Sequence, residues 1–290
     1  MIAPAKNTVV AFIDGSAHTA GVCDSAAWAA GRLGAAVALV HTMGRRARSS
    51  APKDYSGALQ LGARSTLMDK LAKADAEWAE LARARGWAVL EEAQARLYGA
   101  GLSDVAIKLR QDDVLDAERD FQPTAALLVV GKRGENSGFA SEHLGSNLER
   151  LLRASTRPVL IANPEHTPIQ RCLFAFDGGP SATKALRLAA KGALLKDVAV
   201  HLLRIGDDDA ETRAELDGAA ALLAQGGLSV KTELHPKGEP DAVILERLEA
   251  TEADLLIMGA YGHSRIRQLI IGSTTTTVIR ACPTPVLMAR

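Results

Sequence analysis

A run of glycine and hydroxyl residues near the carboxyl terminus has the composition of a phosphate-binding loop. The apolar run Leu255–Met258 ends on Gly259, Gly262 follows after two residues, and nine residues later Gly272 opens a segment of helical composition. A glycine at a strand end lets the backbone approach a phosphate without a Cβ in the way. Amides at the following helix N-terminus then point at the anion. The spacing G-x2-G-x9-G-S therefore predicts a phosphate cradle, to which Ser273, Thr274 and Thr275 can add hydroxyl donors.

Two features limit the strength of this motif. The segment lacks the Gly-Lys-Ser/Thr ending of a P-loop. Glycines at these positions also have a structural alternative, in which they only shape turns.

A related segment occurs earlier in the chain with a different spacing. Gly131 and Gly134 are separated from Gly145-Ser146 by ten intervening residues instead of nine. We expect the extra residue to shift the helix N-terminus relative to the first glycine turn. The charges of Lys132 and Arg133 either compensate for that shift or face solvent.

These loops belong to a unit that is written twice, as six pairs of matching segments in the same order indicate. Thr8–Asp14 matches Cys172–Asp177, each an apolar run that ends on an acid followed by glycine. The two halves also close alike, with Arg157-Pro-Val-Leu-Ile-Ala and Thr284-Pro-Val-Leu-Met-Ala. The chain is therefore interpreted as a duplication.

The elements of each unit alternate in type. Apolar runs of four to six residues without polar alternation are typical of strands buried on both faces. Amphipathic segments of helical length lie between them, so each half is predicted as a five-stranded, open, doubly wound α/β domain. The polar, proline-flanked segment Asn163–Pro168 divides domain 1–163 from domain 169–290. Each closing strand is expected at a sheet edge, where exposed strands invite pairing.

The two halves differ in length. Asp14 and Gly131 are 117 positions apart, whereas Asp177 and Gly259 are 82 apart. The additional residues lie mainly after the second strand, as a basic loop at 44–50 and a long helical stretch from about Leu59 to Tyr98. Arg45, Arg46 and Arg48 of that loop either are solvated or touch a phosphate or a partner.

Together these motifs resemble the universal stress protein family, in particular its tandem two-domain members, over nearly the whole chain. The resemblance implies a Rossmann-like, adenine nucleotide alpha-hydrolase-like fold whose closing strands pair between domains as an internal pseudo-dimer. It also implies ATP, ADP or AMP as the ligand, because an ATP-binding subgroup carries the same glycine spacing. By this resemblance Asp177 contacts the adenosine moiety, Leu202 and Met258 line the adenine pocket, and the phosphates are held by Gly259, Gly262, Gly272, Ser273 and Thr274. The corresponding but imperfect set in the first half is Asp14, Gly131, Gly134, Gly145 and Ser146.

Composition excludes several classes of protein. Lysine plus arginine equals aspartate plus glutamate at 34 each, which argues against a nucleic-acid partner. Neither a signal peptide nor a membrane-spanning apolar run is recognisable, so a cytoplasmic protein without a membrane partner is expected. The three cysteines, widely spaced, are interpreted as reduced core residues. His41 and His201 are predicted at equivalent places on the second strand of each half.

Three functions remain open from the sequence. The first is a nucleotide-dependent stress-response or regulatory protein that is not an enzyme, although slow ATP hydrolysis is compatible with it. The second is an adenylylating enzyme, because Asp177-Gly-Gly-Pro-Ser181 faintly resembles a pyrophosphate loop. The third is an interaction module with vestigial nucleotide sites and an unknown protein partner. No metal-ligand cluster is recognisable, and Mg²⁺ is expected at most as a companion of the triphosphate; a homodimer is also compatible with the sequence.

Overall fold

The computed structural model describes residues 7–44, 61–134, 144–260 and 272–290. For residues 61–67 it describes the backbone, and from residue 68 onward the side chains as well. Each half of the chain contributes five strands. Those of the N-terminal half are β1 Thr8–Phe12, β2 Ala36–Thr42, β3 Val105–Arg110, β4 Ala125–Gly131 and β5 Val159–Ala162. Those of the C-terminal half are β6 Arg171–Ala175, β7 Ala199–Ile205, β8 Val230–His235, β9 Leu255–Gly259 and β10 Val286–Ala289.

The helices connect these strands as crossovers. The N-terminal half has α1 Thr19–Leu33, α2 Leu61–Gly99, α3 Val114–Phe121 and α4 Ser146–Ala154. The C-terminal half has α5 Pro180–Lys191, α6 Ala210–Gln225, α7 Pro240–Ala250 and α8 Ser273–Ala281. Gly101 and Gly227, which follow α2 and α6, adopt φ angles of +89° and +83°, so the matching Gly-Leu-Ser segments have the same left-handed turn in both halves.

The sheet order is β3-β2-β1-β4-β5-β10-β9-β6-β7-β8. Within each half all pairings are parallel, and the direction of winding reverses next to β1 and next to β6. Crossovers therefore cover both faces, which confirms the prediction of two doubly wound domains. In such sheets the carboxyl ends of the strands around the reversal form a crevice where ligands bind.

The closing strands join the two halves. β5 and β10 pair antiparallel, with Leu160 opposite Leu287, so neither strand is an edge in this ten-stranded sheet. The predicted pairing between the two closing strands is confirmed. It satisfies backbone groups that an isolated half would expose.

Two apolar layers lie on the two faces of the sheet, and each runs through both halves. The first is covered by α1, the carboxyl-terminal part of α2, α5 and α6, and includes Leu160 and Leu287. The second is covered by α3, α4, α7 and α8, and includes the neighbouring residues Ile161 and Val286. Adjacent strand residues thus point to opposite layers, as the pleat requires.

The 39-residue helix α2 is the largest difference between the halves, since its counterpart α6 has 16 residues. It lies within the helical stretch expected from the sequence, whereas the basic loop with Arg45, Arg46 and Arg48 lies outside the described residues. Long as it is, α2 is not apolar enough to cross a membrane, and neither is any other helix in the described ranges.

The cysteines are free and buried. Burial raises the pKa of the Cys23 thiol and of the Cys172 thiol to about 12, so both are held in the unreactive thiol form near neutral pH. This agrees with their interpretation as core residues.

Candidate functional site

A cavity of about 670 Å³ opens at the carboxyl ends of β1, β2 and β4 in the N-terminal half. Its volume falls within the range of small-molecule sites. The ends of the three strands form its floor, and α1, α2, α3 and α4 contribute walls. All five of the predicted first-half residues line it: Asp14, Gly131, Gly134, Gly145 and Ser146.

Asp14 lies just after β1, and its orientation is fixed by the turn that follows. Its Oδ1 accepts a hydrogen bond of 3.0 Å from the amide of Ser16. Gly15 has a φ of +77°, which an L side chain rarely adopts. The sequence Asp-Gly after the strand therefore turns the chain sharply while it holds the carboxylate at the cavity.

Gly131 is explained by close packing, and Gly134 lies against the carboxylate of Asp14. A Cβ on Gly131 would lie 2.7 Å from Cβ of His18, at the start of α1. A Cβ on Gly134 would lie 2.8 Å from Oδ2 of Asp14. The turn after β4 thus packs against the turn after β1, and the structural explanation for these two glycines holds independently of any ligand.

Gly145 is different, because its position leaves the start of α4 open to the cavity. It is the N-cap residue of α4, and no side chain among the described residues caps this helix. Its amide donates to the carbonyl of Lys132 at 3.3 Å. Gly145 and the start of α4 therefore lie directly beside the first glycine turn, while most of the segment with the additional residue lies outside the described residues. The first amides of α4 lack helical acceptors and can bind an anion.

The two basic residues between Gly131 and Gly134 have separate roles. The ammonium of Lys132 donates to the carbonyl of Cys282 at 2.6 Å, at the end of α8 in the other half. Burial lowers the pKa of this lysine. Arg133 lines the cavity. Of these two residues, Arg133 is placed to contribute positive charge to a ligand, whereas Lys132 connects the halves.

His18 adds a titratable ring to the cavity wall. Its pKa lies below the ordinary value of 6.5, mainly because burial disfavours the charged form, with Asp14 opposing and Lys132 and Arg133 adding to the effect. The ring is therefore neutral at pH 7 and can act there as a hydrogen-bonding group.

The C-terminal half repeats the framework around Asp177. Its Oδ1 accepts a hydrogen bond of 2.8 Å from the amide of Gly179, and Gly178 has a φ of +76°. A Cβ on Gly259 would lie 2.7 Å from the amide nitrogen of Ala182, just as Gly131 packs against α1. Gly272 is the N-cap residue of α8, and its carbonyl accepts from the amide of Thr276 at 2.9 Å. Gly262 lies outside the described residues.

The hydroxyl residues at the start of α8 do not share one environment. Ser273 is exposed and Thr274 is half-buried, so both are accessible at the helix start. Thr275 is buried and occupies the place that the core residue Leu148 has in α4. Its Oγ1 lies 3.7 Å from the place that a Cβ on Gly272 would take, at the start of α8.

The structure does not bring Leu202 and Met258 together. Leu202 is 0% exposed and packs with Phe174 in the first apolar layer, whereas Met258 is 7% exposed and lies in the second. Leu202 is in the middle of β7, and by strand register its first-half counterpart is Leu39, which does not line the N-terminal cavity. The first-half cavity is reached instead by the end of β2 and the residues that follow, including His41, Thr42 and Met43.

His41 and His201 are not equivalent, contrary to the sequence-based expectation. Val9 and Cys172 occupy equivalent positions, because each lies five residues before the acid that follows its strand. Val9 pairs with Val37, and Cys172 pairs with Val200, so positions 37 and 200 are equivalent too. His201 therefore corresponds to position 38 in the first half. Nδ1 of His41 is 2.9 Å from the carbonyl oxygen of Ile13, whereas Nε2 of His201 is 2.7 Å from Oε2 of Glu233.

One wall of the cavity was not predicted from the sequence. Four residues of α2 line it: Trp78, Leu81, Ala82 and Arg85. Their spacing of three and four residues within the long helical stretch was the available signal, but the sequence does not reveal that this stretch reaches the carboxyl edge of β2.

The sequence model of the universal stress protein family matches residues 6–163 and again residues 168–290, which together span most of the chain. The chain belongs to the universal stress protein family. Its two matches make it a tandem two-domain universal stress protein.

Relatives with the same tandem length support this assignment. Universal stress protein Slr1230 from Synechocystis sp. is 34% identical over 268 residues, which are 91% of this chain and 93% of that protein. A universal stress protein from Archaeoglobus fulgidus has a TM-score of 0.71 at 20% identity, over 99% of this chain and 97% of its own. A universal stress protein from Pseudomonas aeruginosa has a TM-score of 0.59 at 14% identity, over 97% and 92%. These two structures show the shared fold.

No group of three or more histidine, cysteine, aspartate or glutamate side chains within the described ranges is arranged to hold a metal ion.

Proposed function

We propose that this universal stress protein is a regulatory protein that binds adenine nucleotide at the carboxyl edge of each half. The observation that carries the proposal is the N-terminal cavity of about 670 Å³, into which Asp14, the glycine turn after β4 and the uncapped start of α4 all converge. The sequence supports a second and stronger site in the C-terminal half, where Asp177 is followed by the uninterrupted G-x2-G-x9-G-S spacing.

The chemistry of the cavity suits a nucleotide better than an unrelated anion. Backbone amides at the start of α4, together with Arg133, supply donors and positive charge for phosphate. At the other end of the cavity, His41 and Met43 lie beside apolar residues of the strand ends. A ligand with an anionic end and a flat, largely apolar end matches both parts.

The proposal describes binding and regulation instead of catalysis. Neither the glycine turns nor Asp14 forms a set that would activate a water or hold an acceptor for phosphoryl transfer. Mg²⁺ that accompanies a triphosphate would be held mainly by phosphate oxygens and water. Slow hydrolysis of ATP remains compatible with this function, whereas rapid turnover by the purified protein would contradict it.

A matched pair of substitutions tests the two sites separately. Gly145 and Gly272 have φ angles of −57° and −59°, which alanine adopts readily. A Cβ would lie 3.4 Å from the nearest atom at Gly145 and 3.7 Å at Gly272, so the substitutions are expected to preserve the fold. The added methyl group would nevertheless stand at the helix start, where the phosphates are proposed to approach.

The measurement is the amount of adenine nucleotide released from protein purified without added ligand, followed by titration. We expect close to two equivalents for the wild type, about one for each of Gly145→Ala and Gly272→Ala, and little for the double variant. Nucleotide at 100 times its Kd should also stabilise the wild type by about 2.7 kcal/mol. Circular dichroism of each variant controls for folding.

Other outcomes are equally informative. One equivalent that is lost only in Gly272→Ala would restrict the function to the C-terminal half. Absence of bound nucleotide, together with no binding on titration, would favour the interaction module, for which the exposed apolar side chains of α2 are the specific observation.

A further inference from the structure

Helix α2 consists of a packed part and a projecting part. From Gly86 to Leu97 it buries one residue every three or four positions against the sheet, including Leu90 and Ala93. From residue 68 to residue 85, only Ala74 and Ala82 are even partly covered. This projecting part is about 26 Å long at 1.5 Å per residue.

The projecting part presents one side to the N-terminal cavity. Trp78, Leu81, Ala82 and Arg85 recur at intervals of three and four residues and therefore lie on one face of the helix. All four line the cavity. Trp78 is nevertheless 69% exposed and Leu81 is 61% exposed, so two large apolar side chains stand at the cavity with most of their surface uncovered.

The order of strands and helices orients a ligand in this cavity. The phosphate-binding features lie after β4 and at the start of α4, whereas α2 packs on β2 and β3. β4 and β2 are separated only by β1, which corresponds to about 10 Å across the sheet. A nucleotide with its phosphates at Gly145 therefore extends toward the end of β2, and its base arrives beside α2.

We propose that α2 supplies the base-binding wall of the N-terminal nucleotide site, with Trp78 stacking on the purine and Leu81 covering its edge. The proposal rests on nucleotide binding in the N-terminal half, and it assigns to the additional residues of that half a direct contact with the ligand. Aromatic stacking is effective on either face of a base and needs little directional hydrogen bonding. The C-terminal half has no counterpart of this wall among its described residues, because α6 corresponds to the packed part of α2 alone and begins at Ala210.

The chain offers a matched control on the same helix. Trp87 is 38% exposed and follows the buried Gly86, so it lies on a different side of α2 and is absent from the cavity wall. Trp78→Ala and Trp87→Ala thus remove the same side chain from the same helix, and only the first removes it from the cavity.

The experiment uses the full chain with Gly272→Ala, so that the remaining proposed site is the N-terminal one. ATP binding is measured by equilibrium dialysis for this protein and for its Trp78→Ala and Trp87→Ala derivatives. We expect Trp78→Ala to weaken binding roughly 5- to 100-fold, and Trp87→Ala to change it less than twofold.

Fluorescence provides a second readout that does not depend on loss of binding. The chain has three tryptophans, so Trp28→Phe together with Trp87→Phe leaves Trp78 as the single reporter. We expect ATP to quench its emission with the same Kd that dialysis gives.

The outcomes separate this inference from the proposed function. If ATP binds with unchanged affinity in Trp78→Ala and does not quench the single tryptophan, the base-wall proposal is overturned and nucleotide binding stands. If dialysis detects no ATP binding in the Gly272→Ala protein, while the wild type binds one equivalent, both the wall and the N-terminal site are overturned. If Trp78→Ala lowers the oligomeric mass of the protein without altering ATP binding, the exposed face of α2 contacts a second copy instead.

Discussion

At the scale of single residues, the glycines of the two loops divide into two groups. Gly131 and Gly259 are held by steric contact, because a Cβ on Gly131 would lie 2.7 Å from an atom at the start of α1, and a Cβ on Gly259 would lie 2.7 Å from an atom of α5. Gly145 and Gly272 have room for a Cβ and backbone angles that any residue adopts. Packing therefore does not require glycine at the second pair, whereas the proposed approach of a phosphate to the helix starts would.

The titration of His18 gives a prediction at the same scale. Because burial holds its pKa below 6.5, the unfolded chain takes up a proton on this residue at a higher pH than the folded protein does. The stability contributed by the neutral ring is present above pH 6.5 and is lost as the pH falls through the folded pKa. We expect His18→Gln to lose less stability than the wild type between about pH 7.5 and about pH 5.

Urea denaturation at several pH values measures this difference. The relevant quantity is the change in the free energy of unfolding with pH, compared between the two proteins. Parallel pH profiles would show that His18 does not contribute to the acid sensitivity of the fold.

At the scale of elements, α2 combines two functions in one helix. Its carboxyl-terminal part covers the sheet in the way that α6 does, through residues such as Leu90 and Leu97 that are fully buried. Its amino-terminal part is largely exposed from residue 68 to residue 85, and we propose that it contacts the nucleotide base. Removal of a side chain should therefore have different consequences in the two parts.

Leu97→Ala and Leu81→Ala test this division by the same chemical change. Leu97 is fully buried, so we expect its truncation to cost about 2–5 kcal/mol of stability. Leu81 is 61% exposed, and its truncation should change stability by less than about 0.5 kcal/mol.

Chemical denaturation of both variants provides the comparison. A loss of more than about 1 kcal/mol in Leu81→Ala would mean that the projecting part of α2 is packed in solution. The helix would then be a structural element along its whole length.

At the scale of the whole molecule, the pairing of β5 with β10 makes two domains into one sheet. Leu160 and Leu287 lie directly opposite each other and belong to the same apolar layer. Lys132 adds a second link, through its hydrogen bond to the carbonyl of Cys282. The halves are therefore expected to unfold together.

A double-mutant cycle on Leu160→Ala and Leu287→Ala measures this coupling. Each substitution should destabilise the protein by about 2–5 kcal/mol, and the pair should deviate from additivity by about 0.5–3 kcal/mol because the side chains are in register. Leu160→Ala combined with Leu97→Ala, on the outer part of the fold, serves as the control and should be additive. Additive effects in both cycles would indicate halves that are energetically independent.

Much of this architecture follows from local pattern in the sequence. Apolar runs without alternation predict strands covered on both faces, and repeated Asp-Gly and Gly-Leu-Ser segments place the turns, because these features depend on residues close together in the chain. The duplication and the doubly wound topology could both be inferred in this way, whereas the pairing of the closing strands was implied by the resemblance to the universal stress protein family. The placement of Asp14, Asp177 and the strand-end glycines at the carboxyl edge of the sheet could be inferred too, since the carboxyl ends of parallel strands meet at one edge.

Contacts between distant segments needed the tertiary structure. Whether Leu202 reaches a pocket depends on its depth within β7 and on the register with neighbouring strands, which local sequence pattern does not give. The place of Lys132 in the loop left it open whether the side chain compensates for the altered spacing or faces solvent, yet its ammonium reaches the other half. The cavity wall that includes Trp78 could not be predicted either, because the sequence shows how long a helix is but not at which residue the helix extends beyond the sheet. The sequence by itself determined the repeated unit and its turns, while tertiary packing decided which side chains face the cavity.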